Sequence, residues 1–210
     1  MTRSFAGIVV LVVGMAPGLA EEPACHHGHA SGHAEAVPQQ GLPDIALRQV
    51  PDLPVIDQDG RQLSFRSDLV EKGPFVMNFV FTTCTTICPP MGAIFGRLQD
   101  ELGARLGRDV RLVSVSIDPV TDTPERLKAW SGTFGRREGW TLVTGRKDDV
   151  DVILRSLGAL TPDKVDHAPL VLVGDPASGR VRRVYGLAAP DTILAALEDI
   201  REHVPDRASR

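Results

Sequence analysis

The chain has 210 residues, of which 42% are hydrophobic and 24% charged, a composition typical of one globular domain with a full-sized core. Its net charge of -4, with no basic stripe along the sequence, argues against a nucleic-acid-binding protein. Three cysteines are an odd number, so a closed disulfide framework is excluded for a monomer, and nothing in the sequence demands a larger assembly.

The first twenty residues have the features of an export signal. Arg3 is the only charged residue before Glu21, residues 5–15 form an apolar core, and a short stretch containing small residues ends at Ala20. The apolar core is too short to span a bilayer comfortably, since that takes roughly 20 residues. We therefore predict that residues 1–20 are a cleaved signal peptide and that the protein is periplasmic. The alternative is an uncleaved N-terminal membrane anchor.

Residues 21–52 are predicted to form a flexible, His-rich linker. Within nine residues this stretch holds five potential metal ligands, namely Cys25, His26, His27, His29 and His33. Such a composition captures metal ions as an accessory site, but it is equally compatible with a polar linker that is merely rich in histidine. Residues 34–54 contain four prolines and no helical or strand period, so we expect the folded domain to comprise residues 53–210.

The folded domain is expected to begin with a β-hairpin and to continue into a buried strand. Residues 55–65 contain an Asp-Gly turn at Asp59 and Gly60 between short apolar pieces, which is a hairpin pattern. Residues 75–81 are a nearly continuous apolar run, as expected for a strand that is covered on both faces.

Two cysteines follow that strand after a pair of threonines. Cys84 and Cys88 precede Pro89 and Pro90, which suit the first turn of a helix. If the helix starts at or near Cys84, the four-residue offset places both sulfur atoms on one face, about 6 Å apart along the axis. That separation suits a shared metal ion and is near the upper limit for a disulfide. A helix N-terminus also lowers a thiol pKa, so the pair predicts a reactive site.

Strands and helices alternate through the rest of the chain. We predict strands at residues 111–117, 140–144, 170–173 and 181–185, and helices after the dithiol as far as Leu106, after a Thr123 cap, at 148–157 and at 191–204. This order predicts a three-layer α/β fold with a central mixed sheet flanked by helices. A dithiol at its first strand-to-helix junction indicates a thioredoxin-like fold, here with an N-terminal hairpin extension.

Three separated motifs carry a resemblance to a known family. They are Cys84-Thr-Thr-Ile-Cys88-Pro89, Ser116-Ile-Asp118-Pro119-Val-Thr-Asp122-Thr123-Pro124-Glu125 and Val165-Asp166-His167. In residues 53–203 the chain resembles the Sco/SenC family of copper-binding, thioredoxin-like proteins. The resemblance implies that one copper ion, Cu(I) or Cu(II), binds through Cys84, Cys88 and His167. It also implies a role in building the binuclear copper site of cytochrome c oxidase subunit II.

The chemistry of this set of residues agrees with copper. Cu(I) is soft and accepts two or three ligands, so two thiolates and an imidazole suit it, whereas zinc would need a fourth ligand. Asp166 is expected either to orient the His167 imidazole or to face water as a turn residue. Pro169 occupies the position where thioredoxin-like proteins carry a cis-proline, so we predict a cis bond between Ala168 and Pro169.

Two functions remain open at this point. The first is a copper chaperone that receives copper from a donor protein and passes it to cytochrome c oxidase subunit II or to another extracytoplasmic copper protein. The second is an enzyme, a thiol-disulfide oxidoreductase whose Cys84 and Cys88 reduce the cysteines of the acceptor protein. Three residues between the cysteines, rather than the two of the usual redox motif, favour metal binding, and so does His167.

Overall fold

The structure is a computed structural model that describes Ile45 and residues 47–202, and these residues contain one seven-stranded mixed sheet. The strands are β1 (Pro54–Asp57), β2 (Gln62–Ser64), β3 (Phe75–Val80), β4 (Arg111–Ser116), β5 (Trp140–Thr144), β6 (Leu170–Asp175) and β7 (Arg180–Tyr185). Their order across the sheet is β2-β1-β5-β4-β3-β6-β7. The central strands β3, β4 and β5 are parallel, and the other neighbouring pairs are antiparallel.

Within residues 47–202, four α-helices flank the sheet. They are α1 (Cys88–Leu102), α2 (Pro124–Gly132), α3 (Lys147–Leu157) and α4 (Pro190–Glu202). Short 3-10 helices at Leu47–Gln49, Gly103–Arg105 and Lys164–Asp166, and a π-helical turn at Phe65–Val70, complete the regular elements. Among the described residues, no helix combines the length and the apolar character that crossing a membrane requires.

A large hydrophobic core lies on each face of the sheet, and β3 contributes to both because successive side chains of a strand point to opposite faces. Phe75, Met77 and Phe79 pack in one core with the apolar face of α3, and Val76 packs in the other with α1, α2 and α4. A strand that is covered on both faces needs apolar residues at nearly every position, which explains the run at residues 75–81. The predicted three-layer, thioredoxin-like arrangement is confirmed.

The folded part of the chain begins before β1. Ile45, Leu47 and Val50 are buried in the same core as α3, although the sequence pattern assigned them to the linker that ends at residue 52. Isolated apolar residues among prolines and polar residues show no strand or helix period, so their burial depends on tertiary contacts alone. This packing moves the start of the folded domain N-terminal to residue 53.

Two local predictions can be compared directly with the structure. The N-terminal hairpin is confirmed, since β1 and β2 pair antiparallel with Val55 opposite Leu63. The prediction that the first helix extends as far as Leu106 is wrong, because α1 ends at Leu102 and Gly103 has a φ of 51°. A positive φ cannot continue a right-handed helix, and glycine adopts it without steric cost.

The connections at one edge of the sheet bring the three family-like motifs together. Parallel strands β3 and β4 both end at this edge, where they lead into the two cysteines and into residues 117–123 respectively. β6 runs antiparallel to β3, so its first residue, Leu170, lies at the same edge. His167 is three residues before Leu170, and the fold therefore places its backbone near the cysteines.

Candidate functional site

The dithiol loop (residues 82–88) connects β3 to α1. The Cys84 N–H donates to the Phe81 carbonyl at 3.1 Å, closing a turn at the end of the strand. α1 begins at Cys88, four residues later than the helix start we considered from the sequence. Proline has no N–H and clashes with the carbonyl four residues before it, so a helix starting at Cys84 would carry Pro89 and Pro90 in its interior. At the first positions of α1 neither cost arises.

The Cys84 sulfur lies at the N-terminus of α1 although Cys84 is outside the helix. The Cys88 N–H donates to Cys84 Sγ at 3.4 Å, and the Thr86 hydroxyl lies 3.6 Å from the same sulfur. Burial disfavours the thiolate, but the backbone N–H groups of Cys88 and Thr86 outweigh burial and lower the pKa of Cys84 to about 7. A substantial fraction of the Cys84 side chains is therefore ionised at neutral pH.

Cys88 has the opposite character. Burial is the main cause that raises the pKa of the Cys88 thiol to about 12. The Phe81 N–H lowers this pKa in part, whereas the adjacent Cys84 and the Asp122 carboxylate raise it further. Cys88 is therefore a thiol at neutral pH. The two cysteines, both free in the structure, form an asymmetric pair with one ionisable sulfur and one protonated sulfur.

Asp122 holds the start of the dithiol loop in place. Its carboxylate is 1% exposed and accepts from the Thr82 N–H at 3.1 Å, from the Thr82 hydroxyl at 2.6 Å and from the Ser116 hydroxyl at 2.7 Å. The cap of α2 is the neighbouring Thr123, whose hydroxyl accepts the Arg126 N–H at 3.3 Å. The sequence does not predict this role of Asp122, because its partner Thr82 is 40 residues away in the chain.

His167 is buried against Phe79 of β3. It is 6% exposed, its Nε2 lies 3.0 Å from the Phe79 carbonyl oxygen, and its ring stands edge-on to the Phe79 ring at a centroid distance of 6.4 Å. Burial lowers the pKa of His167 despite the hydrogen bond to Phe79, so the imidazole is neutral at pH 7. Across Ile45 and residues 47–202, no group of three His, Cys, Asp or Glu side chains is arranged to hold a metal ion.

The imidazole nevertheless lies beside the dithiol loop. The Val80 carbonyl accepts from Ile117 on the β4 side, so the backbone groups of Phe79 and Phe81 face the opposite, β6 side. His167 contacts the Phe79 carbonyl, and Cys88 approaches the Phe81 N–H two residues further along the chain. Two residues of extended chain span roughly 7 Å. The structure thus brings the two cysteines together and leaves the histidine ring alongside them.

His167 belongs to the histidine segment (residues 160–169), which joins α3 to β6. Asp166 is exposed in the 3-10 helix Lys164–Asp166, and no hydrogen bond between its side chain and His167 occurs among the described residues. The predicted cis bond between Ala168 and Pro169 is wrong, since no cis peptide bond is present between residues 47 and 202. The trans form is the intrinsically favoured one, and here the Pro169 carbonyl accepts the Gly186 N–H at 2.9 Å.

Two other predicted features lie outside the described residues. They are the signal peptide at residues 1–20 and the accessory ligands Cys25, His26, His27, His29 and His33.

A thioredoxin-like sheet with an asymmetric dithiol at a helix N-terminus defines a class of proteins that act through thiolate chemistry or by binding a soft metal. The sequence model of the SCO1/SenC family matches residues 49–202, and the chain belongs to this family. It is 33% identical over 138 residues to the SCO1 protein homolog of Bacillus subtilis (strain 168), covering 61% of this chain and 69% of that relative.

Solved structures agree with the family assignment. BsSco, a member of the Sco family of cytochrome c oxidase assembly proteins for which a disulfide switch has been identified, matches with a TM-score of 0.62 and 27% identity. That match covers 79% of this chain and 99% of BsSco. Yeast Sco1 with copper bound shares the fold, with a TM-score of 0.60 and 20% identity over 80% of this chain and 99% of the yeast chain.

Proposed function

We propose that this protein is a periplasmic copper chaperone. It binds one copper ion through Cys84, Cys88 and His167 and delivers the ion to, or prepares, the binuclear copper site of cytochrome c oxidase subunit II. The observation that carries the proposal is the Cys84 sulfur at the N-terminus of α1 with a second thiol four residues later. Family membership supports the choice of copper, since a Sco structure with bound copper has the same fold.

The donor atoms fit a copper ion. Thiolate sulfur is the ligand that Cu(I) prefers, and Cys84 supplies thiolate at neutral pH without help from another base. Cys88 must lose its proton when the metal binds, which the positive charge of the ion makes favourable. The His167 imidazole is neutral and therefore has a lone pair available for a metal.

Binding of copper by all three residues requires His167 to move. The imidazole must come closer to the dithiol loop, whose sulfur atoms already lie at the same helix start. Its Nε2–H donates to the Phe79 carbonyl, so the lone pair available to a metal is on Nδ1. We therefore infer a sequence in which the cysteines capture copper first and His167 completes the site. Transfer to an acceptor would reverse this order, with release of the imidazole opening a coordination position for an incoming ligand.

Copper binding by variants tests this proposal. The reduced protein is loaded with Cu(I) under anaerobic conditions in a background where Cys25 is serine and His26, His27, His29 and His33 are alanine, which removes the accessory ligands. We expect one tightly bound copper per chain. Cys84→Ser and Cys88→Ser should each weaken binding by at least a thousandfold because a thiolate is lost, and His167→Ala by roughly a hundredfold. Thr85→Ala, an exposed neighbour in the same loop, is the matched control.

A thiol-disulfide oxidoreductase is the second candidate, and the asymmetry of the dithiol favours it. In such a reaction the Cys84 thiolate attacks a disulfide of the acceptor protein, forming a mixed disulfide and releasing one acceptor thiolate. Cys88 then loses its proton and attacks the Cys84 sulfur, which releases the second acceptor thiolate and leaves a disulfide between Cys84 and Cys88. A thiol reductant must then restore the dithiol.

His167→Ala separates the two functions. If copper delivery is the function, this variant loses copper affinity while it still reduces a model disulfide at the wild-type rate. If reduction is the only function, the variant resembles the wild type in every assay, and copper affinity does not depend on His167. Copper that binds equally well to His167→Ala and to the wild type would overturn the chaperone proposal in its three-ligand form.

A further inference from the structure

The histidine segment is attached to the dithiol edge of the sheet at Lys164. The Lys164 ammonium lies 2.5 Å from Asp118 Oδ2 and 5.5 Å above the centre of the Phe81 ring. The Asp118 side chain is only 12% exposed, so this ion pair is partly shielded from water and from salt. A Lys–Asp pair that also contacts an aromatic face is a stronger attachment than an ordinary surface ion pair.

Hydrogen bonds hold the backbone of Asp118 in place. Its backbone N–H donates to the Ser116 hydroxyl at 3.1 Å, and its carbonyl accepts the N–H groups of Thr121 and Asp122 at 3.0 and 2.8 Å. The Asp122 carboxylate in turn holds Thr82 at the start of the dithiol loop. Lys164 is therefore attached to the same framework that positions the two cysteines.

A single helical turn connects Lys164 to His167. The His167 N–H donates to the Lys164 carbonyl at 3.3 Å, so the position of Lys164 determines where the His167 backbone lies. The imidazole must move towards the sulfur atoms to share a metal with them, but the Lys164–Asp118 pair does not have to break for that movement. With the pair intact, only the stretch between Lys164 and Leu170 has to rearrange.

We propose that Lys164 is a positioning residue for His167, and that its ion pair with Asp118 keeps the histidine segment within reach of the dithiol loop. This inference rests on the proposed function, in which His167 is a copper ligand. Without the pair, residues 160–169 lose an internal attachment and His167 must be brought to the metal from a larger set of conformations. The apparent copper affinity falls in proportion to the lost population of competent conformations.

Copper affinity of the full-length chain, in the background without the accessory ligands Cys25, His26, His27, His29 and His33, is the first test. The affinity for Cu(I) is measured by competition with a chromophoric chelator. Lys164→Ala and Asp118→Asn should each weaken binding about three- to tenfold, and the double variant should be no weaker than either single variant, since both remove the same pair. Lys164→Arg keeps the charge and the aromatic contact, so it should bind within twofold of the wild type. Lys128→Ala is the matched control, because Lys128 forms a long-range pair with Asp59 at 2.9 Å.

Hydrogen exchange of the metal-free protein is the second test, and it does not depend on copper. In Lys164→Ala, the backbone amides of residues 160–168 should exchange about three- to tenfold faster than in the wild type. The amides of α1 and of the dithiol loop should be unchanged. A variant that merely destabilised the whole domain would accelerate exchange everywhere, and that result would overturn the inference.

The two tests distinguish failure of this inference from failure of the proposed function. If His167→Ala binds copper like the wild type, the three-ligand site is wrong, and the exchange measurement still reports whether Lys164 restrains the segment. If His167→Ala weakens copper binding but Lys164→Ala does not, the site stands and Lys164 has no positioning role. Additive losses in the Lys164→Ala/Asp118→Asn double variant would also overturn the inference.

Discussion

The dithiol loop and the histidine segment meet at one edge of the sheet but are built differently. The dithiol loop has its acceptors and donors in place: Asp122 holds Thr82, and the start of α1 supplies an N–H group to the Cys84 sulfur. In the histidine segment, the His167 ring contacts the Phe79 carbonyl, and Lys164 attaches the segment to Asp118. In the proposed function, affinity for copper would therefore reside mainly in the loop, whereas the segment would control completion of the site and release of the ion.

The largest expected effect concerns the asymmetry inside the dithiol loop. At pH 7 iodoacetamide should alkylate Cys84 at least a hundredfold faster than Cys88, because Cys84 is substantially ionised while Cys88 is almost entirely protonated and more deeply buried. Peptide mapping by mass spectrometry of the reduced protein, with Cys25 changed to serine, measures both rates. Similar rates for the two cysteines would contradict the arrangement that we describe.

Removing Asp122 should release the dithiol loop from its support. Asp122→Ala leaves the buried Ser116 hydroxyl and the partly buried Thr82 N–H without an acceptor, so we expect a loss of about 2 to 4 kcal/mol in the free energy of unfolding. Urea denaturation measures it. Asp166→Ala, which removes an exposed carboxylate, is the control and should change stability by less than about 0.5 kcal/mol. Equal effects of the two substitutions would show that Asp122 does not hold the loop.

The number of protons released on copper binding should depend on pH in a defined direction. Below a pKa of about 7 Cys84 is a thiol, and above it a thiolate, whereas Cys88 stays protonated up to about pH 12. Cu(I) binding should therefore release close to two protons well below pH 7 and close to one proton well above it, with the number falling as the pH rises through the pKa of Cys84. Titration in weakly buffered solution measures this number. A constant release of two protons would mean that Cys84 is not ionised before copper arrives.

The smallest expected effect is that of His167→Ala on the pKa of Cys84 in the metal-free protein, which should stay nearly unchanged. His167 contacts Phe79 rather than either sulfur, so His167→Ala should leave the pKa of Cys84 within about 0.3 of the wild-type value. The thiolate absorbance near 240 nm, followed against pH, measures the pKa. A change of one unit or more would place the imidazole next to the thiolate before any metal binds, and the contrast between the two regions would disappear.

The sequence predicted those features that depend on neighbouring residues. The apolar run of β3, the turn at Gly60, the Thr123 cap with Pro124 after it and the alternation of strands with helices are all local patterns, and they led to the correct three-layer fold. The positions of the two prolines after Cys88 also predict the correct start of α1. They exclude an earlier start, although we considered one from the spacing of the cysteines alone.

The remaining features depend on contacts between distant parts of the chain. Asp122 has its role because Thr82 and Ser116 come to it in the folded state, and Ile45 is buried although it lies in a polar, proline-rich stretch. The direction in which the His167 ring points follows from the Phe79 carbonyl, which no motif in residues 165–167 predicts. The motifs therefore identified the candidate ligands, whereas the distances and contacts between those ligands could be read only from the folded structure.

X-ray absorption at the copper edge of the Cu(I)-loaded protein tests the central claim most directly. We expect the wild type, in the background that lacks the accessory cysteine and histidines, to show two sulfur ligands and one imidazole nitrogen, and His167→Ala to lose the nitrogen and keep both sulfurs. Identical spectra for the two proteins, or a site without two sulfur ligands in the wild type, would contradict the account.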